Sequence, residues 1–501
     1  MILFHPPQVR NCEPPVALAH LAGALQAAGE PVCIVDGALE AFHWLSYQRP
    51  GDPSDLQAKR VRRNRDSIVN LQNSIHSRDK YIKAISDIKL LVSTSFPVME
   101  SGIRISPVDY QDPQLSPLKS SDLIKSRNNP EQNLFYPWFS ERLKGIFENK
   151  EHKHIGISIG YLSQALTGLA ICGWIKKEYP QIRVQLGGSL INSWLRGPSD
   201  MTFLFEMADN ISRGKGEEDM VWFAGREFKG SGKPEFFDLY DRTAENDYIT
   251  PRRILPYSAS TGCSWQRCTF CSETWEKNPY CEKSAKTVTG HLTQLSEQYK
   301  PALIHLCDSE INPALLQALL YHPPGPDWYG FSRFLREMTD IKYCRDLYKS
   351  GCRMLCLGLE SGDQEILNKL KKGILLERVS PILRNLRESG ILTYIYIMFG
   401  TPSENKDAAY RTKDFIFNHS NCINYLNASV FNMPIGSMEA KDVKTMDFYR
   451  GDLSLYTDFI HPSDWNRGTI RTFIDKEFRE ILKRTPPVFT SSHAPFMPVE
   501  T

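Results

Sequence analysis

Cys263, Cys268 and Cys271 crowd into one short stretch, STGCSWQRCTFCSE at 260–273, while the rest of the chain's 12 cysteines are scattered singly. Thiolates are soft metal donors, and three so close together call for a ligand. A structural zinc ion takes four protein ligands, so zinc here would have to recruit Cys281 or Cys307, neither of which lies in a second C-x2-C pair. Three thiolates on a cubane of four irons leave one iron open, and an open iron can chelate a small molecule through an amino and a carboxylate group. Cysteines without any ligand are the third reading.

The bulk numbers set the frame for that site. A chain of 501 residues exceeds what one core usually organises, about 250–300 residues, so two or three domains are expected. With 60 Lys and Arg against 58 Asp and Glu, the net charge of +2 gives no sign of a polyanionic partner, and no nucleic acid is expected. The opening MILFHPPQVRNCEPP lacks a basic segment followed by an apolar one, and no run approaches the ~20 apolar residues of a membrane span. A cytoplasmic protein is expected, and the uneven cysteine spacing is unlike a secreted disulfide framework.

The elements that must position the thiols follow a β/α rhythm. A strand at Ile2 to Phe4, a helix from Val16 to Ala28 and a strand from Pro31 to Val35 make a β-α-β unit. The rhythm breaks at about 50–150, a partly helical insertion that opens with the basic run KRVRRNRD (59–66), read as the solvated face of a helix rather than a phosphate patch. It returns with HIGISIGY, a helix to Glu178 and RVQLGG, completing a Rossmann-like domain over 1–230 whose crevice lies at the carboxyl ends of its strands. A linker at 231–250 contains GSGKPEFFDLYD. From 251 to 431, six strands (LPYSAS, ALIHLCD, DWYGFSR, RMLCLGLE, ILTYIYIMF, INYLNASVF) alternate with helices, which predicts a partial parallel barrel with its site at the loops after each strand. The cysteines lie in the first of those loops. Residues 432–501 form an irregular C-terminal extension.

This loop, its place after strand one of six, and the segments downstream resemble the radical S-adenosylmethionine (SAM) superfamily, in the branch with an N-terminal cobalamin-binding-type domain. The resemblance covers roughly 1–45 and 152–430. It implies that Cys263, Cys268 and Cys271 hold a [4Fe-4S] cluster whose fourth iron binds SAM, and that one electron, from a donor such as flavodoxin or ferredoxin, cleaves SAM to methionine and a 5′-deoxyadenosyl radical. The usual spacing in the superfamily is C-x3-C-x2-C, whereas four residues, Ser264 to Arg267, separate Cys263 from Cys268 here. The C-x2-C half is intact, with Phe270 as the aromatic residue that packs beside the adenine. The resemblance also assigns SAM contacts at successive strand ends: Asp308, Ser309 and Glu310 toward the amino group, Arg333 toward the carboxylate, Glu360 and Ser361 toward the ribose or carboxylate, and Phe399 and Gly400 beside the adenine. Each has a plainer rival. Ser361 could cap a helix in a capping box with Gln364, Arg333 could be a surface ion-pair partner, and Gly400 could only make the turn into Thr401 and Pro402.

In cobalamin domains that place a protein histidine below the cobalt, the pattern is D-x-H-x-x-G, then S-x-L, then G-G. This chain has Ser158, Ile159 and Gly160, then 26 residues, then Gly187 and Gly188, a spacing that fits. No D-x-H-x-x-G occurs, and His5 lies in the HPP turn without the motif around it. The resemblance therefore implies base-off cobalamin without a histidine lower ligand, while a tight turn after any Rossmann-like strand is the rival for the glycines. GKGEED (214–219) resembles the turn and acidic helix start that closes such domains, and otherwise reads as a charged helix N-terminus. The expected fold is α/β, a Rossmann-like domain of the cobalamin-binding type followed by a partial (β/α)6 radical SAM barrel and an extension. The expected activity is functionalisation of an unactivated carbon in a small molecule or peptide, with cobalamin-dependent C-methylation as the leading reading. Radical oxidation, rearrangement or insertion without methyl transfer is the alternative, and a zinc-stapled binding protein the remote one.

Overall fold

The computed structural model describes residues 1–48, 78–149, 152–240, 248–479 and 488–489, so the basic run at 59–66 lies outside the described residues. The chain divides into two compact units, one built from Met1–Ile254 with Arg450–Ser454, the other from Leu255–Tyr449 with the described residues from Leu455 on.

In the first unit, β1 (Ile2–His5), β2 (Cys33–Asp36), β3 (His154–Ser158), β4 (Arg183–Gly187) and β5 (Asn210–Ile211) form a parallel sheet in the order β2-β1-β3-β4-β5. This is a doubly wound order, and its switch point falls between the carboxyl ends of β1 and β3. Helix α1 (Val16–Ala27) follows β1, and α2 (Gly37–Tyr47) follows β2, started by Asp36, whose side chain accepts from Leu39 N.

The insertion is part of this unit's core. Its helices α3 (Ser120–Asn128) and α4 (Tyr136–Glu148) pack beside α5 (Leu162–Glu178), which follows β3. Every residue of α5 from Ser163 to Ile175 is buried, which explains a helix apolar on all faces: the sheet covers one side and inserted residues the other. A Cβ on Gly173 would lie 1.9 Å from Arg127 O, Ser126 Oγ donates to Leu166 O at 2.8 Å, and Trp174 meets Phe139 and Phe147. Part of the expected linker also packs on α1: Glu235 N donates to Ala19 O, and Phe236 is fully buried. From the extension, Leu453 N donates to Leu118 O and Leu453 O accepts from Trp194 Nε1.

The second unit is built on a sheet in which β6 (Ile254–Tyr257), β7 (Leu303–Leu306), β8 (Asp327–Ser332), β9 (Cys352–Glu360), β10 (Leu392–Phe399) and β11 (Tyr425–Val430) lie side by side in chain order. The pairs from β7 to β11 are parallel, as β/α units require. A further strand, β12 (Val488–Phe489), joins parallel to β11, so the tail read as irregular returns to the sheet. Helices Ala285–Tyr299, Pro313–Tyr321, Ile341–Lys349, Leu376–Glu388 and Lys406–Asn418 alternate with these strands. No helix among the described residues is long and apolar enough to cross a membrane.

Candidate functional site

The loop after β6 carries the three thiols, and Asp308, just past β7, anchors its first turn. Asp308 is 2% exposed and accepts from Ala259 N at 3.1 Å and from Ser260 N and Ser260 Oγ at 2.5 Å each. Burial raises its pKa, and those donors oppose the rise. Glu310, also buried, reaches the loop itself: Cys263 Sγ donates to Glu310 Oε2 at 3.5 Å and Ser264 Oγ to Oε1 at 3.3 Å. Ser309 between them is exposed.

On its other side the loop is laced to a segment following a short helix, Gln364–Lys369. Thr269 N donates to Leu370 O at 3.2 Å and Trp265 Nε1 to Lys371 O at 2.9 Å. Arg333, just past β8, stacks on the Trp265 ring at 4.2 Å and donates to Lys372 O. Lys372 Nζ lies 2.8 Å from Glu360 Oε1 and 5.7 Å from the Phe270 ring. Phe270 itself is partly buried against a core of Ile366, Leu370, Met398, Phe431 and Met433. From the extension, Glu439 Oε1 accepts from Thr269 Oγ1 at 2.7 Å, and a Cβ on Gly436 would overlap Trp275 Nε1, so the indole seals that edge of the loop.

Cys268 is buried, and burial pushes its thiol up to about 11 against the pull of Lys372 and Arg333. Burial also raises Cys271, opposed by the backbone N–H groups of Glu273 and Thr274. Thiols held protonated in this way release protons when a metal binds. Among the described residues these sulfurs belong to no group of three or more His, Cys, Asp or Glu ligand atoms all within 4.8 Å of one another. Cys281 instead pairs with Thr261 in a short antiparallel ladder, and Cys307 Sγ lies 3.5 Å from His305 Nδ1. A set of three soft donors flanked by the cations Lys372 and Arg333 suits a multi-iron cluster.

Solved structures share this architecture. The chain is similar to the cobalamin-dependent S-adenosylmethionine radical enzyme OxsB with aqua-cobalamin and S-adenosylmethionine bound, at a TM-score of 0.53 and 14% identity, covering 68% of this chain and 60% of that one. It is similar to the radical S-adenosylmethionine methyltransferase TsrM from Kitasatospora setae with cobalamin and a [4Fe-4S] cluster bound, at a TM-score of 0.50 and 15% identity, covering 86% of this chain and 75% of that one. The chain has the fold of cobalamin-dependent radical SAM enzymes. It spans about three fifths of the length of OxsB, and no family model and no curated protein matches it.

The remaining expected residues of the second unit sit at the carboxyl ends of its strands. Glu360 ends β9 with φ +69°, a left-handed backbone rare outside glycine. Gly358, two residues earlier on the same face, leaves the room its carboxylate uses: a Cβ there would lie 2.5 Å from Glu360 Oε1 and 2.9 Å from Lys372 Nζ. Ser361 is 1% exposed, with Oγ 3.1 Å from Thr412 Oγ1. The capping reading of Ser361 with Gln364 needs correction, because the next helix is capped by Asp363, which accepts from Ile366 N. Phe399 is fully buried against Phe473 and Phe478. Gly400 turns with φ +90° and donates from N to Glu404 Oε2, and Glu404, 2% exposed, also accepts from Trp465 Nε1 at 3.1 Å. Burial pushes the Glu404 carboxyl up to about 7.

In the Rossmann-like unit, Ser158 ends β3 opposite Gly187, and Gly188 has φ +112° with its missing Cβ 2.3 Å from Ile159 O. The second glycine of the pair thus lets the β4 turn close on the β3 end. Ser189 Oγ donates to Gly160 O, joining the two motif segments. Gln164, fully buried, bridges the switch point: Oε1 accepts from Gly160 N at 2.8 Å, and Nε2 donates to Pro6 O at 2.7 Å and lies 3.3 Å from His5 Nε2. Two buried polar atoms in the turn after β1, Gln8 Oε1 and Asn11 Nδ2, have no hydrogen-bond partner. Orphaned buried atoms of this kind, just past the end of β1, are what a polar ligand would satisfy. GKGEED opens a helix, Gly216–Phe223, and is pinned by Asn192, which both donates to Gly214 O and accepts from Gly214 N.

The sequence reading missed Trp265, Lys372, Gly373, Gln164 and Glu404. A signal existed only for Gly373, a glycine after a short charged helix.

Proposed function

We propose that this protein is a radical SAM enzyme that splits SAM reductively at a [4Fe-4S] cluster and functionalises an unactivated carbon, most specifically by cobalamin-dependent C-methylation. The observation that carries this reading is three cysteines in the loop after the first strand of a seven-strand β/α sheet, inside a fold shared with OxsB and TsrM.

Cys263, Cys268 and Cys271 would hold the cluster. When bound, the cluster supplies the electron that cleaves SAM, and cobalamin supplies a methyl carrier. The protein's own part is binding, orientation and exclusion of water. Glu310 and the Glu360–Lys372 pair place paired charge beside the thiols, suited to an amino acid moiety that carries both an ammonium and a carboxylate. Asp308 orients the loop, with its side chain committed to Ser260. Arg333 is proposed to meet the SAM carboxylate from its stack on Trp265, and the strand-end residues Ser309, Ser361, Phe399 and Gly400, with Phe270, to frame the nucleoside. In the first unit Ser158, Gly160, Gly187 and Gly188 frame the proposed cobalamin crevice, with no histidine motif below the cobalt and with Gln8 and Asn11 offering polar atoms. The substrate is a small molecule or peptide, and the electron comes from a one-electron donor such as flavodoxin or ferredoxin.

The test is anaerobic turnover with SAM, a strong reductant and hydroxocobalamin. Methyl transfer yields both S-adenosylhomocysteine and 5′-deoxyadenosine, with a product heavier by one methylene group. Formation of 5′-deoxyadenosine alone, with no corrinoid retained, selects radical chemistry without methyl transfer. A protein that never cleaves SAM contradicts both.

A further inference from the structure

The stretch between Cys263 and Cys268 is Ser264 to Arg267, and the structure gives its extra length a definite seat. Gln266 takes a left-handed turn at φ +44°, which tightens the loop, and its Nε2 donates to Asn278 O at 2.9 Å. Trp265, just before this turn, is partly buried. Two guanidiniums approach its ring, Arg333 at 4.2 Å and Arg267 at 5.0 Å, and its Nε1 donates to Lys371 O. The place the ring occupies exists because residue 373 is glycine: at φ +71°, a Cβ on Gly373 would lie 2.3 Å from Trp265 Cζ2 and 3.2 Å from Arg333 Nη2. Thr269 N to Leu370 O and Arg333 Nη2 to Lys372 O complete the lacing, so the backbone of 370–373 holds both ends of the Cys268 turn.

We propose that Trp265, seated on Gly373 and clamped by Arg333, is a positioning residue that lets a four-residue spacer present Cys263 and Cys268 to one cluster. The inference rests on the cluster reading above and adds a division of labour to it. The thiols ligate, while Trp265, Arg333 and Gly373 fix where the loop stands. A ring restrained by Gly373, Arg333 and the Lys371 carbonyl turns the extra residue into a spacer of fixed shape instead of slack.

The experiment uses the full chain reconstituted anaerobically with iron and sulfide, comparing wild type with W265A, W265F, G373A, R333M and W265A/G373A. The readouts are iron and sulfide content, the rate of iron release to a chelator, and the electron paramagnetic resonance (EPR) spectrum of the reduced cluster. Far-UV circular dichroism confirms that each variant is folded. W265A and G373A are expected to release iron roughly tenfold faster, the scale seen when groups that orient metal ligands are lost, and to change the EPR line shape. R333M should change the line shape with the ring still present, and W265F, which keeps an aromatic face on the glycine, should restore most of the retention. Adding G373A to W265A should cost no more than the left-handed strain of alanine, because the clash has no partner once the ring is gone. Folded W265A and G373A proteins with wild-type iron, sulfide, release rate and spectrum would overturn the proposal and leave the cluster reading standing. Wild type that takes up no iron would overturn the cluster reading, and this inference with it.

Discussion

Lys372 Nζ and Glu360 Oε1 lie 2.8 Å apart at the carboxyl end of β9, with side chains only 14% and 13% exposed. Burial works against the Lys372 charge, but Glu360 and the nearby Cys268 outweigh it, so its pKa is raised and the cation is retained. Removing it with K372M strands the carboxylate and should cost roughly 1.5–3 kcal/mol, the range for a hydrogen bond to a charged group. K372M/E360Q should recover part of that loss, as thermal unfolding can check. The same variant removes a positive charge beside Cys268, so the midpoint potential of the bound cluster should move to more negative values in a redox titration followed by EPR.

Asp308 offers a second handle on the cysteine loop. D308A orphans donors on Ala259 and Ser260 in a buried place, which should cost about 2–3 kcal/mol. Hydrogen exchange should rise in the turn at 258–263 and stay unchanged in the first unit's sheet. Unaltered protection at 258–263 would show that Asp308 does not hold the loop.

Glu404 makes a pH prediction whose sign is unusual for a carboxylate. Its folded value, about 7, lies above the ordinary 4.5, so the folded chain holds a proton that the unfolded chain has lost. Stability from this group is therefore full below pH 4.5 and falls as pH rises toward 7, by about 3 kcal/mol in all. E404Q cannot titrate and keeps an oxygen for Gly400 N and Trp465 Nε1. The stability of wild type minus that of E404Q should thus decline between pH 4.5 and 7 in paired denaturant titrations.

Gly188 tests the first unit. An alanine there must adopt φ +112° and push Ile159 O, 2.3 Å away, so G188A should destabilise the Rossmann-like unit by roughly 2–5 kcal/mol. The unfolding midpoint of that unit should fall, whereas G145A, in α4 with open space around the added methyl, should raise stability by about 0.5–1 kcal/mol.

Much of the fold was legible because its signals are local. The strand at LTYIYIMF and the helix ending at Glu178 follow from apolar runs and helical spacing, and the loop with Cys263 falls after the first barrel strand for the same reason. What escaped depends on contacts far apart in sequence. Helix α5 carries almost no polar face, a sign that something must cover it, yet only the structure shows Ser126, Arg127 and Phe139 of the insertion doing so. At the site, Cys263 was readable from its type and spacing. The seat of Trp265 on Gly373 was not, because a residue's neighbour more than a hundred positions away leaves no periodic trace. Ser361 shows the converse: its helix start was correctly sensed, but the cap fell on Asp363, two residues on, where the carboxylate also meets Arg411.

The central claim is that Cys263, Cys268 and Cys271 hold a four-iron cluster, and the most direct test is iron, sulfide and zinc content after anaerobic purification, read beside the EPR spectrum of the reduced protein. About four iron and four sulfide per chain are expected, with a brown colour and an EPR signal that shifts when SAM is added, all lost when the three cysteines are replaced by serine. A colourless protein carrying one zinc and no sulfide, or serine variants that keep the iron and the signal, would contradict the account.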